Sequence, residues 1–177
     1  MKICIFCGAN VVIDERVEIE VETLMSHFAS HKVELVYGGA GIGIMGALAT
    51  TLINKGGRVT GVIPQGLMKK EIAHGGLDNL FVVKDMHERK KMMYDLSNAF
   101  LVLPGGMGTL DELFEILTWK QLGIHSKPIA LFNINGYYDH LLSFIDHAIG
   151  KGLIKSRDRE LFFASRSWED IWNYFRR

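Results

Sequence analysis

The sequence predicts an α/β fold, a doubly wound parallel sheet with helices on both faces. Short apolar segments alternate with amphipathic stretches of helical length, an order typical of a parallel sheet whose strands are joined by helices. The apolar segments are rich in Val, Ile, Leu and Phe and show no polar alternation, as expected when both faces of a sheet are covered. The length suits a single domain over residues 1–177.

Each element is predicted in chain order from its apolar pattern. The predicted strands are short apolar runs at Lys2–Cys7, Val33–Tyr37, Arg58–Ile63, Leu80–Val83, Phe100–Leu103 and Ile129–Phe132. The predicted helices fill the intervals, at Asp14–Ser30, Ile44–Lys55, Leu67–Ala73, Glu88–Ser97, Thr109–Leu122 and Tyr137–Lys151. Near the end of the chain, Leu161–Ala164 predicts a last strand and Trp168–Phe175 a closing helix. Such sheets bind ligands at the carboxyl ends of their strands, so a site is expected in the loops there.

Composition and charge limit the classes of partner. The 20 basic and 20 acidic residues cancel, so no broad positive field favours a nucleic acid or an acidic membrane. The apolar start of the chain is too short for a signal peptide, and no apolar stretch approaches bilayer-spanning length. Cys4 and Cys7 share one strand and point to opposite faces, which favours buried, reduced thiols over a metal site. We therefore expect a cytoplasmic protein.

A first glycine-rich loop follows the second predicted strand. Gly41, Gly43 and Gly46 match the GxGxxG spacing of dinucleotide-binding loops. That use needs an acidic residue at the end of the next strand to hold the ribose hydroxyls, whereas the segment Val59–Gln65 contains no carboxylate. An NAD site is therefore not predicted. Two interpretations stay open: tight turning with close helix packing, or contact with a phosphate or ribose.

A second glycine-rich loop follows the fifth predicted strand and gives the strongest signal. The segment reads Pro104-Gly105-Gly106-Met107-Gly108-Thr109-Leu110-Asp111-Glu112. Glycines let main-chain amides approach a phosphate closely, and the following helix directs its first amides and positive dipole end at the same place. With the Thr109 hydroxyl added, the segment predicts a site for one phosphate monoester.

The alternative for this segment is a capping box. In that interpretation Thr109 caps the helix and Glu112 accepts a hydrogen bond from a main-chain amide. Capping alone does not require Gly-Gly-x-Gly ahead of the cap, which favours phosphate binding. We expect Glu112 in the first helical turn, where the helix dipole keeps a carboxylate ionised at neutral pH. An ionised carboxylate suits the stabilisation of positive charge on a sugar, or the orientation of a water molecule.

Charged residues follow the third and fourth predicted strands. On its own, the segment Asp85–Lys91 is typical of a solvated helix start, but consecutive parallel strands often neighbour each other and end at one edge. Arg89 would then reach the phosphate loop, where its planar guanidinium suits a phosphate or a purine edge, with Lys90 as a point charge. Glu71 follows the third predicted strand and would approach the same cleft, although on its own it is more typical of a surface residue. The seven histidines show no metal-ligand spacing, so no metal is predicted.

These motifs resemble the Lonely Guy family of cytokinin riboside 5′-monophosphate phosphoribohydrolases, whose members are often labelled lysine decarboxylases. The resemblance rests on Met86-His87-Glu88-Arg89-Lys90, on the PGGxGTxxE segment that ends at Glu112, and on Thr118-Trp119-x-Gln121-Leu122-Gly123. It runs from Cys7 to about Leu153. The resemblance implies a Rossmann-like homodimer that cleaves plain or N6-substituted adenosine monophosphate without a cofactor.

Carried over by position, the resemblance implies a catalytic pair, Arg89 and Glu112. It also implies substrate contacts from Glu71, Met86, Lys90, Gly105, Gly106, Met107, Gly108, Thr109, Leu110, Asp111 and Thr118. One departure follows the first strand, where Cys7-Gly8-Ala9-Asn10 stands in place of the family's Cys-Gly-Ser-Ser. The missing hydroxyls bear on the preferred base and the affinity, and leave the reaction itself in place.

Two rival functions stay open. A non-catalytic carrier or sensor would bind a nucleotide or pterin-like cofactor through the same loop, although a pure binder does not need a carboxylate beside the anion. A lysine decarboxylase needs a pyridoxal-phosphate lysine in an apolar pocket, whereas Lys90 and Lys91 stand among charges. For the implied homodimer, the sequence offers only apolar residues that are equally compatible with the core: Met92, Met93, Trp119, Leu122 and Ile124.

Overall fold

Seven strands and six α-helices make up the regular structure of the described residues, which are 1–9, 14–68 and 74–177 of a computed structural model. The strands are β1 Lys2–Phe6, β2 Glu34–Tyr37, β3 Val59–Pro64, β4 Asn79–Val83, β5 Ala99–Val102, β6 Ile129–Phe132 and β7 Phe163–Ser165. The helices are α1 Glu15–Ser30, α2 Gly43–Asn54, α3 Met86–Leu96, α4 Met107–Gln121, α5 Asp139–Gly150 and α6 Trp168–Phe175. Short 3₁₀ turns lie at Gln65–Leu67, Ile134–Gly136 and Ser156–Leu161.

The strands form one parallel sheet in the order β4-β3-β2-β1-β5-β6-β7. The chain winds outward from β1 as far as β4, returns to place β5 on the other side of β1, and winds outward again. In the register of the sheet, Cys4 of β1 lies opposite Val36 of β2 and Phe100 of β5. The direction of winding reverses between β1 and β5, and such a switch point leaves a crevice beyond the carboxyl ends of the two strands.

An apolar core covers each face of the sheet. On one face, α1, α2 and α6 pack on the strands through residues such as Leu24, Leu48 and Ile171. On the other face, α3, α4 and α5 pack through residues such as Leu113 and Ile145. The strands are therefore buried between two layers of helices, which confirms the predicted doubly wound sheet and explains why their sequences lack polar alternation.

Most predicted elements end within two residues of the observed ones, the usual uncertainty of helix and strand ends. The predicted helix Leu67–Ala73 begins instead as a 3₁₀ turn at Gln65–Leu67, and residues 69–73 lie outside the described part of the chain. The last strand starts at Phe163, two residues later than predicted, because a 3₁₀ turn occupies Ser156–Leu161.

The expectation that β4 and β5 are neighbours is wrong, because three strands separate them. Helix α3 is the crossover between them, and it contacts β4, β3, β2 and β1 along its path. The chain adds β4 at the far edge of the sheet before it returns, so the crossover has to span the middle of the sheet. Arg89 lies in the first turn of α3. It reaches the middle of the sheet because α3 crosses it, and not because β4 pairs with β5.

Cys4 and Cys7 are free, buried thiols. Cys4 belongs to the core beneath α3, α4 and α5, and Cys7 to the core on the opposite face, as predicted. Burial raises the pKa of both thiols, so they stay protonated at neutral pH. Separately, none of the helices in the described ranges is long and apolar enough to cross a membrane.

Candidate active site

The loops that follow β1 and β5 are joined directly at the crevice. The Gly8 N–H donates a hydrogen bond of 3.1 Å to the carbonyl oxygen of Pro104. A Cβ atom on Gly105 would lie 2.7 Å from Cβ of Thr109 and 2.8 Å from the nitrogen of Gly8. Gly105 is therefore required by packing, because the loop after β5 passes between the loop after β1 and the first turn of α4.

Helix α4 begins two residues earlier than predicted, and this changes the role of Thr109. The helix starts at Met107, its N-cap is Gly106, and no side chain caps it. Thr109 is thus the third helical residue and Glu112 the sixth. The capping-box interpretation is wrong, and so is the placement of Glu112 in the first turn. The helix dipole therefore does not account for an ionised Glu112, because the effect of the dipole falls off within the first turn.

Gly106 and Gly108 are glycines that protein packing does not explain. Apart from the neighbouring residues of the chain and the backbone of α4 itself, no atom of the described residues lies within 4 Å of a Cβ atom built on either of them, and neither has a positive φ. Both line the same cavity. Side chains at these positions would project into open space in front of the first amides of α4, which have no carbonyl partner within the helix. That space suits a ligand that has to approach the main chain closely.

Arg89 is held from behind by main-chain carbonyl groups. Its Nε donates to the carbonyl oxygen of Val62 at 3.1 Å and its Nη2 to that of Gly38 at 2.8 Å. Its Nη1 lies 3.8 Å from the sulfur of Met86. Only 3% of the arginine is exposed. A carbonyl group within β3 and one directly after β2 thus hold this cation in the crevice. The sequence around Arg89 is typical of a solvated helix start and did not indicate this burial.

One cavity of about 390 Å³, the Arg89 cavity, brings the predicted catalytic pair together. Its lining consists of Cys7, Gly8, Ala9, Met45, Leu67, Met86, Arg89, Gly106, Met107, Gly108, Thr109, Asp111 and Glu112. Glu112 is only 5% exposed and Thr109 only 3%. The pKa of Cys7 is raised by burial and by the charge of Glu112 and lowered by the charge of Arg89, so both charges act on this thiol at the cavity wall.

The electrostatics of the Arg89 cavity suit an anionic ligand with a reacting centre beside it. A helix N-terminus offers amides and a positive dipole end to a phosphate, and Thr109 adds a hydroxyl. The buried guanidinium and the buried carboxylate lie beside this anion site. Such a site combines an anchor for phosphate with a negative group that can face a developing positive charge.

Four predicted contact residues do not line the Arg89 cavity in this chain, namely Lys90, Gly105, Leu110 and Thr118. Lys90 forms ion pairs with Asp111 at 3.2 Å and Glu115 at 3.0 Å. Thr118 is exposed farther along α4, and its hydroxyl donates to the Phe114 carbonyl oxygen at 2.7 Å. The fifth, Glu71, lies outside the described residues.

The pKa of Lys90 reflects these ion pairs. Burial alone would lower it, but the hydrogen bonds and charges of Glu115 and Asp111 outweigh burial, and the net shift is upward. Lys90 therefore stays protonated, and its ion pairs connect α3 to α4. Because Asp111 itself lines the Arg89 cavity, these ion pairs also hold one wall of the site in place.

The first glycine-rich loop has a mainly structural explanation. A Cβ atom on Gly46 would collide with the main chain of Gly41, so this glycine permits close packing of the loop on α2. Gly39 and Gly43 have positive φ values of 80° and 60°, which glycine adopts without strain. The loop contributes to the site through Met45, which lines the Arg89 cavity, and through the carbonyl group of Gly38, which accepts a hydrogen bond from Arg89.

A second cavity lies beside the phosphate loop, and no pattern in the sequence predicted a role for it. This Tyr137 cavity has a volume of about 340 Å³ and shares Gly8 and Gly106 with the Arg89 cavity. On its wall, the hydroxyl of Tyr137 donates to the carbonyl oxygen of Gly105 at 2.7 Å. The segment Gly136-Tyr137-Tyr138 lies within the range of the family resemblance, but nothing in its composition indicated a contact with the loop.

The chain matches one described family and several named relatives. The profile of the family described as "Possible lysine decarboxylase" matches residues 45–175. Cytokinin riboside 5′-monophosphate phosphoribohydrolase of Rhodococcoides fascians is 46% identical over 169 residues, which cover 95% of this chain and 85% of the relative. The phosphoribohydrolases LOG1 and LOG5 of Arabidopsis thaliana are 44% and 41% identical, each over 96% of this chain and over 80% and 75% of their own lengths.

Solved structures with the same fold have distant sequences. The molybdenum cofactor carrier protein of Chlamydomonas reinhardtii superposes with a TM-score of 0.74 at 19% identity, over 99% of this chain and 98% of its own. The molybdenum cofactor binding protein of Rippkaea orientalis gives a TM-score of 0.68 at 19% identity, over 99% and 94%. At this identity the likeness concerns the fold alone.

Proposed function

Since this chain belongs to the Lonely Guy family of cytokinin riboside 5′-monophosphate phosphoribohydrolases, we propose that it hydrolyses the N-glycosidic bond of an adenosine 5′-monophosphate, plain or N6-substituted. The products are the free base and ribose 5-phosphate. The observation that carries the proposal is the Arg89 cavity, which joins the glycine loop, Arg89 and Glu112 in one space. The whole range 1–177 acts as one catalytic domain in this proposal.

The first step is the anchoring of the 5′-phosphate at the start of α4. The amides of Met107, Gly108 and Thr109 have no acceptor within the helix, and the open space in front of Gly106 and Gly108 admits a phosphate to them. Phosphate binding lies away from the bond that breaks. Its role is to hold the ribose in one orientation, so that remote contacts accelerate the reaction at C1′.

The second step is cleavage of the C1′–N9 bond. The bond lengthens through an oxocarbenium-like state, as in the hydrolysis of other glycosides. Glu112 stabilises the positive charge of the sugar or aligns the attacking water, and Arg89 holds the phosphate or ribose. Water supplies a hydroxyl group to C1′ and a proton to the departing base, so the reaction balances without a cofactor. Glu71 is our candidate for delivery of that proton.

We also propose a homodimer, because a predicted substrate contact, Thr118, and apolar residues after α4 are exposed on the surface of one chain. Thr118 is a proposed substrate contact on the exposed surface of α4, away from the Arg89 cavity. Leu122 and Ile124, which follow it in the chain, are 68% and 58% exposed. Met93 belongs to the buried core and does not contribute to this surface. Light scattering at low micromolar concentration tests for a dimer, and a monomer mass would contradict it.

We do not propose a lysine decarboxylase activity for this chain, because a Schiff base needs a neutral amine in an apolar pocket. Lys90 is ion-paired to Asp111 and Glu115, and Lys91 to Asp95.

We also propose a cytoplasmic location, which the two buried free thiols support.

The test is a panel of nucleoside monophosphates with the matching nucleosides as controls. We expect adenine and ribose 5-phosphate to appear from AMP in stoichiometric amounts by chromatography, and adenosine to react far more slowly. If AMP binds and no base is released, the chain is a carrier or sensor and the proposal is wrong. If adenosine reacts as fast as AMP, the phosphate anchor is wrong.

A further inference from the structure

Three successive carbonyl oxygens of the phosphate loop are held by hydrogen bonds from elsewhere in the fold. The hydroxyl of Tyr138 donates to Leu103 at 2.7 Å, the N–H of Gly8 donates to Pro104 at 3.1 Å, and the hydroxyl of Tyr137 donates to Gly105 at 2.7 Å. Two of these three donors are adjacent tyrosines just ahead of α5. A loop held in this way has little freedom to rotate its peptide units.

The bond from Tyr137 fixes the direction of a particular amide. The peptide unit between Gly105 and Gly106 is trans, and in a planar trans unit the C=O and the following N–H point in opposite directions. Its carbonyl group points at Tyr137, which lines the Tyr137 cavity. The N–H of Gly106 consequently points away from Tyr137, and Gly106 is also a wall residue of the Arg89 cavity.

The two tyrosines are themselves anchored. The side-chain oxygen of Asn133 accepts from the Tyr138 N–H at 2.7 Å, and its side-chain nitrogen donates to Asp139 at 2.7 Å. Asp139 in turn accepts from Arg166 at 2.7 Å. Burial raises the pKa of Tyr138, so its phenol stays protonated and remains a donor. The rings of the two tyrosines meet edge to face at 5.0 Å.

We infer that Tyr137 and Tyr138 are positioning residues of the phosphate loop, and that Tyr137 in particular turns the Gly105–Gly106 peptide so that its amide faces the 5′-phosphate. The inference rests on the proposed function and deepens it. Neither tyrosine touches the reacting atoms. Tyr137 acts through the main chain, from the side of the loop opposite to the substrate.

Tyr137→Phe is the direct test, because it removes the hydroxyl and keeps the ring. Tyr137 is 53% exposed, so we expect the fold to tolerate the removal of its hydroxyl group. A thermal melt of the variant checks this. We expect the KM for AMP and the Kd for inorganic phosphate to rise about five- to tenfold, the worth of one hydrogen bond. We expect kcat to change less than twofold and the slow hydrolysis of adenosine to be unaffected.

The phosphate-free substrate separates positioning from general damage, since a merely structural role would lower the rates on AMP and adenosine alike. Tyr174→Phe in α6 is the matched control, because it removes a phenol far from the loop, and its KM for AMP should stay at the wild-type value. Tyr138→Phe should reproduce the rise in KM, with a lower melting temperature because its hydroxyl is buried. A KM for AMP within twofold of the wild type in Tyr137→Phe, or equal losses on both substrates, would overturn the inference.

The outcome is readable even if the proposed reaction fails. If the wild type binds AMP and releases no adenine, the hydrolase proposal falls and the positioning role is judged by calorimetry alone. A five- to tenfold weaker Kd for AMP and phosphate in Tyr137→Phe would then support the inference. An unchanged Kd would refute it.

Discussion

The guanidinium of Arg89 occupies the space that a side chain on Gly38 would need. Its Nη2 donates to the Gly38 carbonyl oxygen at 2.8 Å, and a Cβ atom on that glycine would lie 3.1 Å from Cζ of Arg89 and collide with Nη2. A glycine at the end of β2 and an arginine on α3, far apart in the sequence, are therefore fitted to each other. The guanidinium of Arg89 can occupy its position only because residue 38 is a glycine and has no side chain.

Gly38→Ala should therefore damage catalysis more than folding. The methyl group displaces the guanidinium, and a displacement of about 1 Å in a catalytic group can cost about 10²-fold, so we expect kcat/KM for AMP to fall by about that factor. Gly57→Ala is the matched control, because its methyl group presses on the Leu52 side chain at the other end of the sheet. It should lower the melting temperature and leave kcat/KM unchanged. Equal kinetic losses in the two variants would contradict the role given to Gly38.

Glu112→Gln should abolish turnover and spare binding. The amide has nearly the same shape and lacks the negative charge that faces the sugar cation, so we expect kcat to fall by about 10²–10⁴-fold. The Kd for AMP, measured by calorimetry, should change by less than about threefold. Glu160→Gln, an exposed exchange of the same kind, serves as the control. Near-normal turnover in Glu112→Gln would refute its assignment.

Gly108→Ala should separate stability from activity. Alanine is favoured over glycine in a helix by about 0.5–1 kcal/mol, so the free energy of unfolding should stay the same or rise. The new methyl group projects into the Arg89 cavity, and we expect the KM for AMP to rise at least about tenfold. Gly150→Ala, another helical glycine with open space around it, should keep the KM unchanged. A normal KM in Gly108→Ala would show that phosphate does not approach this residue.

His27 should make the protein sensitive to acid. Its ring lies against His31 at 3.9 Å and against Trp172 at 4.6 Å, and its pKa is lowered from 6.5 by burial and then by the charge of His31. The unfolded chain therefore takes up this proton more readily than the folded protein. The free energy of unfolding is therefore highest above about pH 6.5, where His27 is neutral in both states. It decreases as the pH falls from there through the lower pKa of the folded protein.

Urea midpoints at about pH 7.5 and about pH 5 measure this effect. We expect the midpoint of the wild type to fall with the pH, and the fall to be smaller in His27→Phe, which keeps an aromatic ring in the cluster. A part of the slope should remain, because burial also lowers the pKa of His125. The same slope in both proteins would exclude His27 as a source of the acid sensitivity.

The fold was largely predictable, because parallel strands buried on both faces leave an unbroken apolar record. Most elements and the doubly wound sheet followed from that pattern alone. The position of β4 did not, because local sequence carries no information on which edge of a sheet a strand joins. The 3₁₀ turn at Ser156–Leu161 was also missed, since it has no apolar period to mark it.

Several residues predicted for the site line the Arg89 cavity, among them Arg89, Thr109 and Glu112, but their geometry was not predicted. Thr109 and Glu112 match a capping box in spacing, and only the observed start of α4 at Met107 moves both of them into the helix. The burial of Arg89 rests on carbonyl groups of Gly38 and Val62, and a main-chain acceptor leaves no mark in a sequence. The same holds for Tyr137 and the carbonyl group of Gly105.

The wall of the Arg89 cavity divides into two parts with different freedom to change. Its cation is fixed by main-chain carbonyl groups, whose identity does not depend on the side chains around them. Another part of the wall includes the uncharged, apolar side chains of Ala9, Met45 and Leu67. We therefore expect substitutions at these three positions to change which purine substituent is preferred while Arg89 and Glu112 keep their places.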